Sequence, residues 1–253
     1  MLTQTFCHVP GIGKRTEKAL WTQGCRDWDA LLSEPDTFSY GSASRTLARK
    51  VIEESKGALD EGRYQYFAES LRASETWRAW EQFRDSCVYL DIETDGSNNR
   101  DNVTMIGLYD GKEFKCLIKG QDLENFRDVI SHYAMVVTFF GTGFDLPVLE
   151  KRFRGFRFDQ IHLDLCPTLK KLGIRGGLKK IERQLGLQRE EGIDGLTGWD
   201  AVQLWRRYLR GDEKALDTLI AYNRADVVNM EPIAEYLYRE MKRETVGDQL
   251  VLF

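Results

Sequence analysis

The sequence contains no apolar run that approaches the roughly 20 residues needed for a membrane-spanning helix. Its first residues, MLTQTFCHVPGIGK, lack the basic start and apolar middle of a signal peptide. Cysteine is scarce: the five residues are an odd number and no two stand at C-x-x-C spacing. A disulfide framework or a zinc site is therefore not expected, whereas reduced, packed thiols are. Together these absences predict a cytoplasmic protein that does not enter a membrane.

An excess of positive charge is also missing, because the net charge is −4. That average conceals a basic segment, residues 151–185, in which ten Lys or Arg face three acids. The ten are Lys151, Arg152, Arg154, Arg157, Lys170, Lys171, Arg175, Lys179, Lys180 and Arg183, and the three are Asp159, Asp164 and Glu182. Such a segment is typical of phosphate contacts, although a solvated charged face has the same composition. Lys179 and Lys180 are our candidates for nucleic-acid contacts.

Hydrophobic spacing divides the chain into three parts. Residues 1–85 carry apolar side chains mainly at helical spacing, which predicts a small helical module. From Cys87 onward, CVYLDIET and MVVTFF predict buried strands, and VTMIGLYD-GK-EFKCLIKG predicts a hairpin. Strands alternate with helices thereafter, so residues 86–242 are expected to form a mixed α/β sheet flanked by helices. Residues 243–253 are predicted to be a flexible tail.

Two carboxylates stand at the end of the first predicted strand. Asp91 and Glu93 are two residues apart, so their side chains leave the same face of a strand. Paired carboxylates at the end of an apolar strand repel each other unless cations neutralise them. Hard cations such as Mg²⁺ or Mn²⁺ prefer such oxygen ligands. The D-x-E pattern is common, and by itself it only nominates a metal site.

A third acid, Asp145, follows the second predicted strand after the Gly-rich segment FFGTGFD. Open α/β sheets place their sites at the carboxyl ends of strands, which favours Asp145 as a ligand. An N-cap for the helix that begins LPVLE is an equally local explanation, and both roles are compatible. Asp164, also at a predicted strand end, is either a supporting acid or a turn former.

The last candidates are Tyr222 and Asp226 in AYNRADVVNM. Their spacing of four residues places phenol and carboxylate on one face of a helix, one turn apart. The surrounding residues are apolar, so a core tyrosine is the alternative interpretation.

In this order the motifs resemble the DEDD exonucleases of the RNase H-like superfamily, specifically the DEDDy branch. The DEDDh branch has a His five residues before the last Asp, where this chain has Ala221. The resemblance is strongest to the YprB-type RNase H-like domain and covers about residues 86–240. The matching segments are YLDIETDG, FGTGFDLPVL, HLDLCPTLKKLG, GLKKIERQLGL, GWDAVQLW and YNRADVVNM.

The resemblance implies hydrolysis from a nucleic-acid 3′ end with two divalent ions, Mg²⁺ or Mn²⁺. Asp91, Glu93, Asp145 and Asp226 would hold the ions, and Tyr222 would orient the attacking water. One departure is Phe140, where many relatives carry Asn. This departure bears on how the terminal nucleotide is positioned, and hence on rate.

VPGIGKRTEKAL resembles the turn of a helix-hairpin-helix element, although few residues precede it to form a first helix. Gly11 and Gly13 permit a tight turn, and Lys14 and Arg15 add positive charge. Such elements bind DNA backbone without reading sequence. A hairpin that only packs against its own domain is the alternative.

The final residues resemble the peptide by which bacterial proteins dock on the replicative sliding clamp. Gln249 would donate or accept a hydrogen bond, and Leu250, Leu252 and Phe253 would supply apolar anchors. An apolar end packed on its own domain is the alternative. The turn and the tail favour DNA over RNA, so the sequence predicts a DNA 3′→5′ exonuclease of replication or repair. An RNA exonuclease and a non-catalytic binding module remain the competing hypotheses.

Overall fold

The structure, a computed structural model, describes residues 1–247. These divide into two compact units. The first comprises Met1–Arg84, Asp159–His162 and the chain from Tyr238 onward, and the second comprises Asp85–Phe158 and Leu163–Leu237. The three-part division predicted from the sequence stays a prediction. No helix among the described residues is both long and apolar enough to cross a membrane.

The first unit is helical. Its α-helices are α1 (Lys14–Thr22), α2 (Trp28–Ser33), α3 (Arg45–Asp60), α4 (Tyr64–Ser70) and α5 (Trp80–Phe83). Short 3₁₀ turns are found at Leu2–Gln4, Thr76–Ala79, Arg84–Ser86, Leu123–Asn125 and Lys170–Leu172 along the chain. The segment before the glycine turn is thus a single 3₁₀ turn, in line with the short first helix expected from the sequence.

A buried ion network crosses this unit. The Arg78 guanidinium, which is fully buried, donates to Glu17 at 2.9 Å and to Glu75 at 2.8 Å. Glu17 also accepts from the Thr5 hydroxyl at 2.6 Å. Because a buried charge is tolerated only when it is paired and hydrogen-bonded, these contacts tie the first residues to α1 and to the turn before α5.

A five-stranded mixed sheet organises the second unit. Its strands are β1 (Cys87–Thr94), β2 (Val103–Tyr109), β3 (Phe114–Ile118), β4 (Met135–Thr138) and β5 (Ile161–Asp164), in the order β3-β2-β1-β4-β5. β1 pairs antiparallel with β2 and parallel with β4, and β2 and β3 form the predicted hairpin. The predicted mixed α/β sheet is confirmed. β4 ends at Thr138, two residues before the end of the predicted strand MVVTFF.

Helices cover both faces of this sheet. They are α6 (Phe126–Ile130), α7 (Asp145–Arg152), α8 (Leu165–Leu169), α9 (Leu178–Gln184), α10 (Gly198–Tyr208) and α11 (Glu213–Val246). Pro232 lies inside α11, which continues through it. Trp199 is 62% exposed, whereas Trp205 on the same helix is buried.

Alternation along β1 assigns its side chains to two different layers. Val88, Leu90 and Ile92 enter an apolar cluster with α6 and α7. The opposite face of the sheet, which includes Met105 of β2, packs against α10 and α11. Asp91 and Glu93 therefore leave the sheet on the side of α10 and α11.

Candidate active site

Asp91 and Glu93 stand on the same face of β1, as their spacing predicted. Their partners across the ladder are Gly107 and Met105 of β2. Glu93 is buried and Asp91 partly buried. Because side chains alternate between the two faces along β1, both acids lie in the layer between the sheet and α11.

α11 delivers the third acid. Its apolar residues Leu216, Leu219 and Val227 are buried, and this fixes which side of the helix faces the sheet. Asp226 lies on that side, and ligand oxygens of Asp91, Glu93 and Asp226 all lie within 4.8 Å of one another. The structure therefore brings Asp226 together with two acids that precede it by more than a hundred residues.

Asp145 stands beside this group and is not part of it. It is the first residue of α7, with Phe144 as the N-cap and no side-chain cap. Its Oδ1 accepts from the backbone N–H of Ile92 at 3.2 Å, and its charge repels that of Asp91. The N-cap alternative for Asp145 is therefore wrong.

Asp164 shapes the loop that leads to Asp145. Its carboxylate accepts from the backbone N–H groups of Phe140 at 2.8 Å and Thr142 at 3.0 Å. It also accepts from Cys166 N–H at 3.2 Å, as the N-cap of α8. Phe140 has φ 68° and is the one non-glycine residue with positive φ among those the structure describes. Asp164 thus holds a left-handed turn in place before α7.

Burial dominates the electrostatics of the acids. It raises the pKa of Glu93 to about 8 and that of Asp145 to about 7, and it raises the pKa of Asp91 well above its ordinary value. The charge of Asp226 adds to the rise for Asp91 and Glu93. Burial also raises the pKa of Asp226, against the lowering effect of Arg189. The cluster is short of positive charge.

Tyr222 lies one turn before Asp226 and is buried. Its hydroxyl accepts from Nζ of Lys179 at 3.1 Å, and that Nζ also stands 4.5 Å from the centre of the phenol ring. Burial, followed by the negative charges of Asp226 and Glu93, raises the pKa of the phenol. Tyr222 therefore remains protonated, as a hydrogen-bond donor.

The cluster faces a cleft. One cavity of about 330 Å³ is lined by the three acids together with Phe144, Gly198 and Tyr222. A second, of about 260 Å³, shares Asp91, Tyr222 and Asp226 and adds Lys179 and Lys180. Lys180 is exposed and Lys179 partly buried.

Four residues around the cluster were not predicted from the sequence as part of the site. Asn223 donates to Asp91, Arg189 donates to both Asp226 and Glu182, and Asn229 donates to Glu182. A signal for two of them is visible: Asn223, Asp226 and Asn229 recur at three-residue spacing on the helix that carries Tyr222. Arg189 and Glu182 carry no comparable signal in a stretch rich in charge.

The residues of the predicted glycine turn belong to the first unit. Gly11 adopts φ 87°, and Gly13 is the N-cap of α1 without a side-chain cap. Arg15 is exposed, and the Lys14 ammonium pairs with Glu75 at 2.8 Å. The predicted clamp peptide, Gln249–Phe253, lies outside the described residues.

The donor set fits a hard divalent cation. The ligands that meet within 4.8 Å are carboxylate oxygens, and burial together with mutual repulsion raises the pKa values of Asp91 and Glu93. Oxygen ligands of this kind suit Mg²⁺ or Mn²⁺. Asp91, Glu93 and Asp226 are the residues placed to hold such an ion.

Fold and cleft together define an α/β domain with a carboxylate site at the end of its first strand. The chain belongs to the RNase_H superfamily, because residues 88–238, more than half of its length, match that family. No curated protein matches the chain.

Two solved structures are similar to this one. The family B DNA polymerase of the archaeon Pyrobaculum calidifontis is 19% identical, with a TM-score of 0.51 over 65% of this chain and 26% of its own. Escherichia coli RNase D, described as an exoribonuclease involved in structured RNA processing, is 18% identical, with a TM-score of 0.44 over 66% of this chain and 43% of its own. This chain thus spans less than half of each, and the likeness concerns the fold.

Proposed function

We propose that this protein is a metal-dependent 3′→5′ exonuclease that hydrolyses phosphodiester bonds of nucleic acid. The observation that carries the proposal is the meeting of Asp91, Glu93 and Asp226 within 4.8 Å, beside Tyr222 in an open cleft. Membership of the RNase_H superfamily supports it. So does the order of the motifs, which resembles that of the DEDDy exonucleases.

In this proposal Asp91, Glu93, Asp145 and Asp226 hold two divalent ions, Mg²⁺ or Mn²⁺. The ions supply a lowered pKa for the attacking water and stabilise the charge that develops on the phosphate. Asp145 stands beside the other three acids, and its Oδ1 accepts a hydrogen bond from the backbone N–H of Ile92.

Tyr222 and Lys179 work beside the acids. The protonated phenol accepts from Lys179 and keeps its own hydrogen to donate to the attacking water. Lys179 stands next to the negative charges of Asp226 and Glu93 in the same cleft, where its ammonium meets a phosphate oxygen. Orientation of water and phosphate is a contribution that protein groups make independently of the ions.

DNA is the substrate that we propose. The glycine turn at Gly11 and Gly13 and the clamp-like peptide at the end of the chain are both features of proteins that act on DNA. The alternatives are an RNA exonuclease with the same chemistry and a non-catalytic module that only binds nucleic acid.

The deciding experiment uses single- and double-stranded DNA and RNA, labelled at the 5′ or the 3′ end. Each substrate is incubated with the full chain in Mg²⁺, in Mn²⁺ or in EDTA. We expect 5′-labelled DNA to shorten stepwise and 3′-labelled DNA to release mononucleotide at once, with no reaction in EDTA.

Other outcomes separate the alternatives. Faster degradation of RNA than of DNA favours the RNA exonuclease. Retained binding without cleavage in both ions would overturn the enzymatic proposal and favour the binding module. Cleavage in EDTA would contradict the metal dependence of the proposed reaction.

A further inference from the structure

Arg189 joins the carboxylate cluster to a second buried acid. Its Nε donates to Oε2 of Glu182 at 2.8 Å and its Nη2 donates to Oε1 at 2.7 Å. The same Nη2 also donates to Oδ1 of Asp226. Glu182 is held in turn by the side-chain amide of Asn229 at 3.0 Å. One guanidinium therefore bridges α9, the segment after it and α11.

The bridge is removed from solvent. The side chains of Arg189 and Glu182 are each 2% exposed, and that of Asp226 is 9% exposed. Burying three charges carries a large desolvation cost, so such a bridge is seldom the best way to stabilise a fold. The buried bridge is better explained as a means of holding the Asp226 carboxylate in a specific geometry.

The shape of the guanidinium matters as well as its charge. Its planar fork places two parallel hydrogen bonds on Glu182 and leaves the remaining Nη2 hydrogen in a defined direction, toward Asp226. The guanidinium carbon also stands 5.6 Å from the centre of the Tyr222 ring. A lysine at this position carries the same charge and has no such fork.

We propose that Arg189, oriented by Glu182, is a positioning residue that fixes the Asp226 carboxylate for metal binding. This inference rests on the proposed function. Hydrogen-bonding partners of metal-binding side chains orient those side chains, and their loss lowers metal affinity or activity about 10- to 100-fold. The bridge acts on the metal site and on the rate, and leaves nucleic-acid binding largely unchanged.

Charge and geometry make opposite predictions for the metal. If Arg189 mattered only as a cation beside the site, its removal would strengthen Mn²⁺ binding, because like charges repel. If it positions Asp226, both Arg189→Lys, which keeps the charge, and Arg189→Gln, which removes it, weaken Mn²⁺ binding.

The test measures Mn²⁺ binding to the full chain by calorimetry, and cleavage rate against Mn²⁺ concentration. For Arg189→Lys we expect Mn²⁺ affinity and kcat to fall about 10-fold or more, with KM for the oligonucleotide nearly unchanged. Arg207→Gln is the matched control, since Arg207 also makes two bonds to one carboxylate, Asp212, at 3.0 and 2.7 Å, but is exposed. It should behave as the wild type.

Glu182→Gln is the second variant, because it keeps the volume and loosens only the support of Arg189. It should weaken Mn²⁺ binding in the same direction, and circular dichroism shows whether each variant is folded. Wild-type Mn²⁺ affinity in a folded Arg189→Lys or Glu182→Gln protein overturns the inference, as does tighter binding in Arg189→Gln.

Failure of the inference is distinguishable from failure of the proposed function. If the wild type cleaves no substrate, yet binds Mn²⁺ through Asp226 more tightly than Arg189→Lys does, the proposed function fails and the inference is supported. A wild type that cleaves, with Arg189→Lys equally active at every Mn²⁺ concentration, removes the inference alone.

Discussion

The side-chain amide of Asn223 donates to Oδ2 of Asp91 at 3.0 Å, and so links α11 directly to β1. Asn223 is fully buried, and it occupies the space above Gly107, the residue opposite Asp91 on β2. A side chain at position 107 would fill that space. The glycine in the strand and the asparagine in the helix are therefore two halves of one arrangement that holds Asp91 in place.

Gly107→Ala should disrupt this arrangement. A Cβ at position 107 would lie 1.8 Å from Oδ1 of Asn223, and the buried amide has to move into packed surroundings. We expect a loss of about 1–3 kcal/mol in the free energy of unfolding, measured in urea, together with weaker Mn²⁺ binding. Gly57→Ala in α3 is the control, because a Cβ there meets nothing within 4 Å. Wild-type stability of Gly107→Ala would contradict the packing described here.

Replacing a cluster acid should separate cleavage from binding. Asp91→Ala or Asp226→Ala removes an oxygen ligand, and we expect cleavage to fall to background while nucleic-acid affinity remains largely intact. Gel assays of rate and filter binding of the same oligonucleotide measure the two. Asp217→Ala, an exposed acid on the same helix as Asp226, should cleave at the wild-type rate. Cleavage that persists without Asp91 or Asp226 counts against the proposed function.

The stability of the metal-free protein should decrease as the pH rises. Burial raises the pKa of Glu93 to about 8 and that of Asp145 to about 7, whereas carboxyl groups in the unfolded chain have a pKa of about 4. The folded state therefore binds more protons between these values. The resulting stability is fully present below the unfolded pKa and is lost as pH rises through about 7 to 8.

Thermal unfolding in EDTA and in excess MgCl₂ measures this dependence. From about pH 5 to about pH 9, Tm in EDTA should fall, and the rise in Tm caused by Mg²⁺ should grow because the cation replaces the protons. Glu93→Gln should show a shallower decline. A Tm in EDTA that increases across this window would be inconsistent with the raised pKa values.

Residue 140 tests the strained turn before α7. Phe140 has φ 68° and is 53% exposed, so it gains little from burial. The left-handed region costs most residues about 1–2 kcal/mol, and Asn tolerates it better. Phe140→Asn should raise the free energy of unfolding by up to about 1 kcal/mol, whereas the β-branched Phe140→Val should lower it. A Val variant as stable as the Asn variant would show that the backbone here is unstrained.

The end of the chain offers a test independent of the active site. Deletion of residues 249–253 should remove binding to the bacterial sliding clamp, because Leu250, Leu252 and Phe253 are the apolar anchors of the proposed peptide. Surface plasmon resonance with immobilised clamp measures the affinity, and the intrinsic nuclease rate of the truncated chain serves as the control. Equal clamp affinity with and without these residues would refute the proposed partner.

Local spacing sufficed to predict much of the second unit. The apolar run in CVYLDIET predicted β1, and the two-residue spacing of Asp91 and Glu93 predicted their shared face. The hairpin of β2 and β3 followed from its GK turn. Tyr222 and Asp226 were expected one turn apart. Each of these relationships lies within a single element or turn, where backbone geometry sets the direction of every side chain.

Only the tertiary structure decided how these pieces meet. Asn223 lies 132 residues from the Asp91 that it contacts, and Arg189 lies 37 residues from Asp226. Asp145 was expected as a metal ligand, as a cap or as both, and its contact with the backbone N–H of Ile92 in β1 was not predicted. Contacts of this kind depend on how helices pack on the sheet and on which buried charges find a partner. Those are properties of the whole folded unit, because no local pattern specifies which distant group will satisfy a buried polar atom.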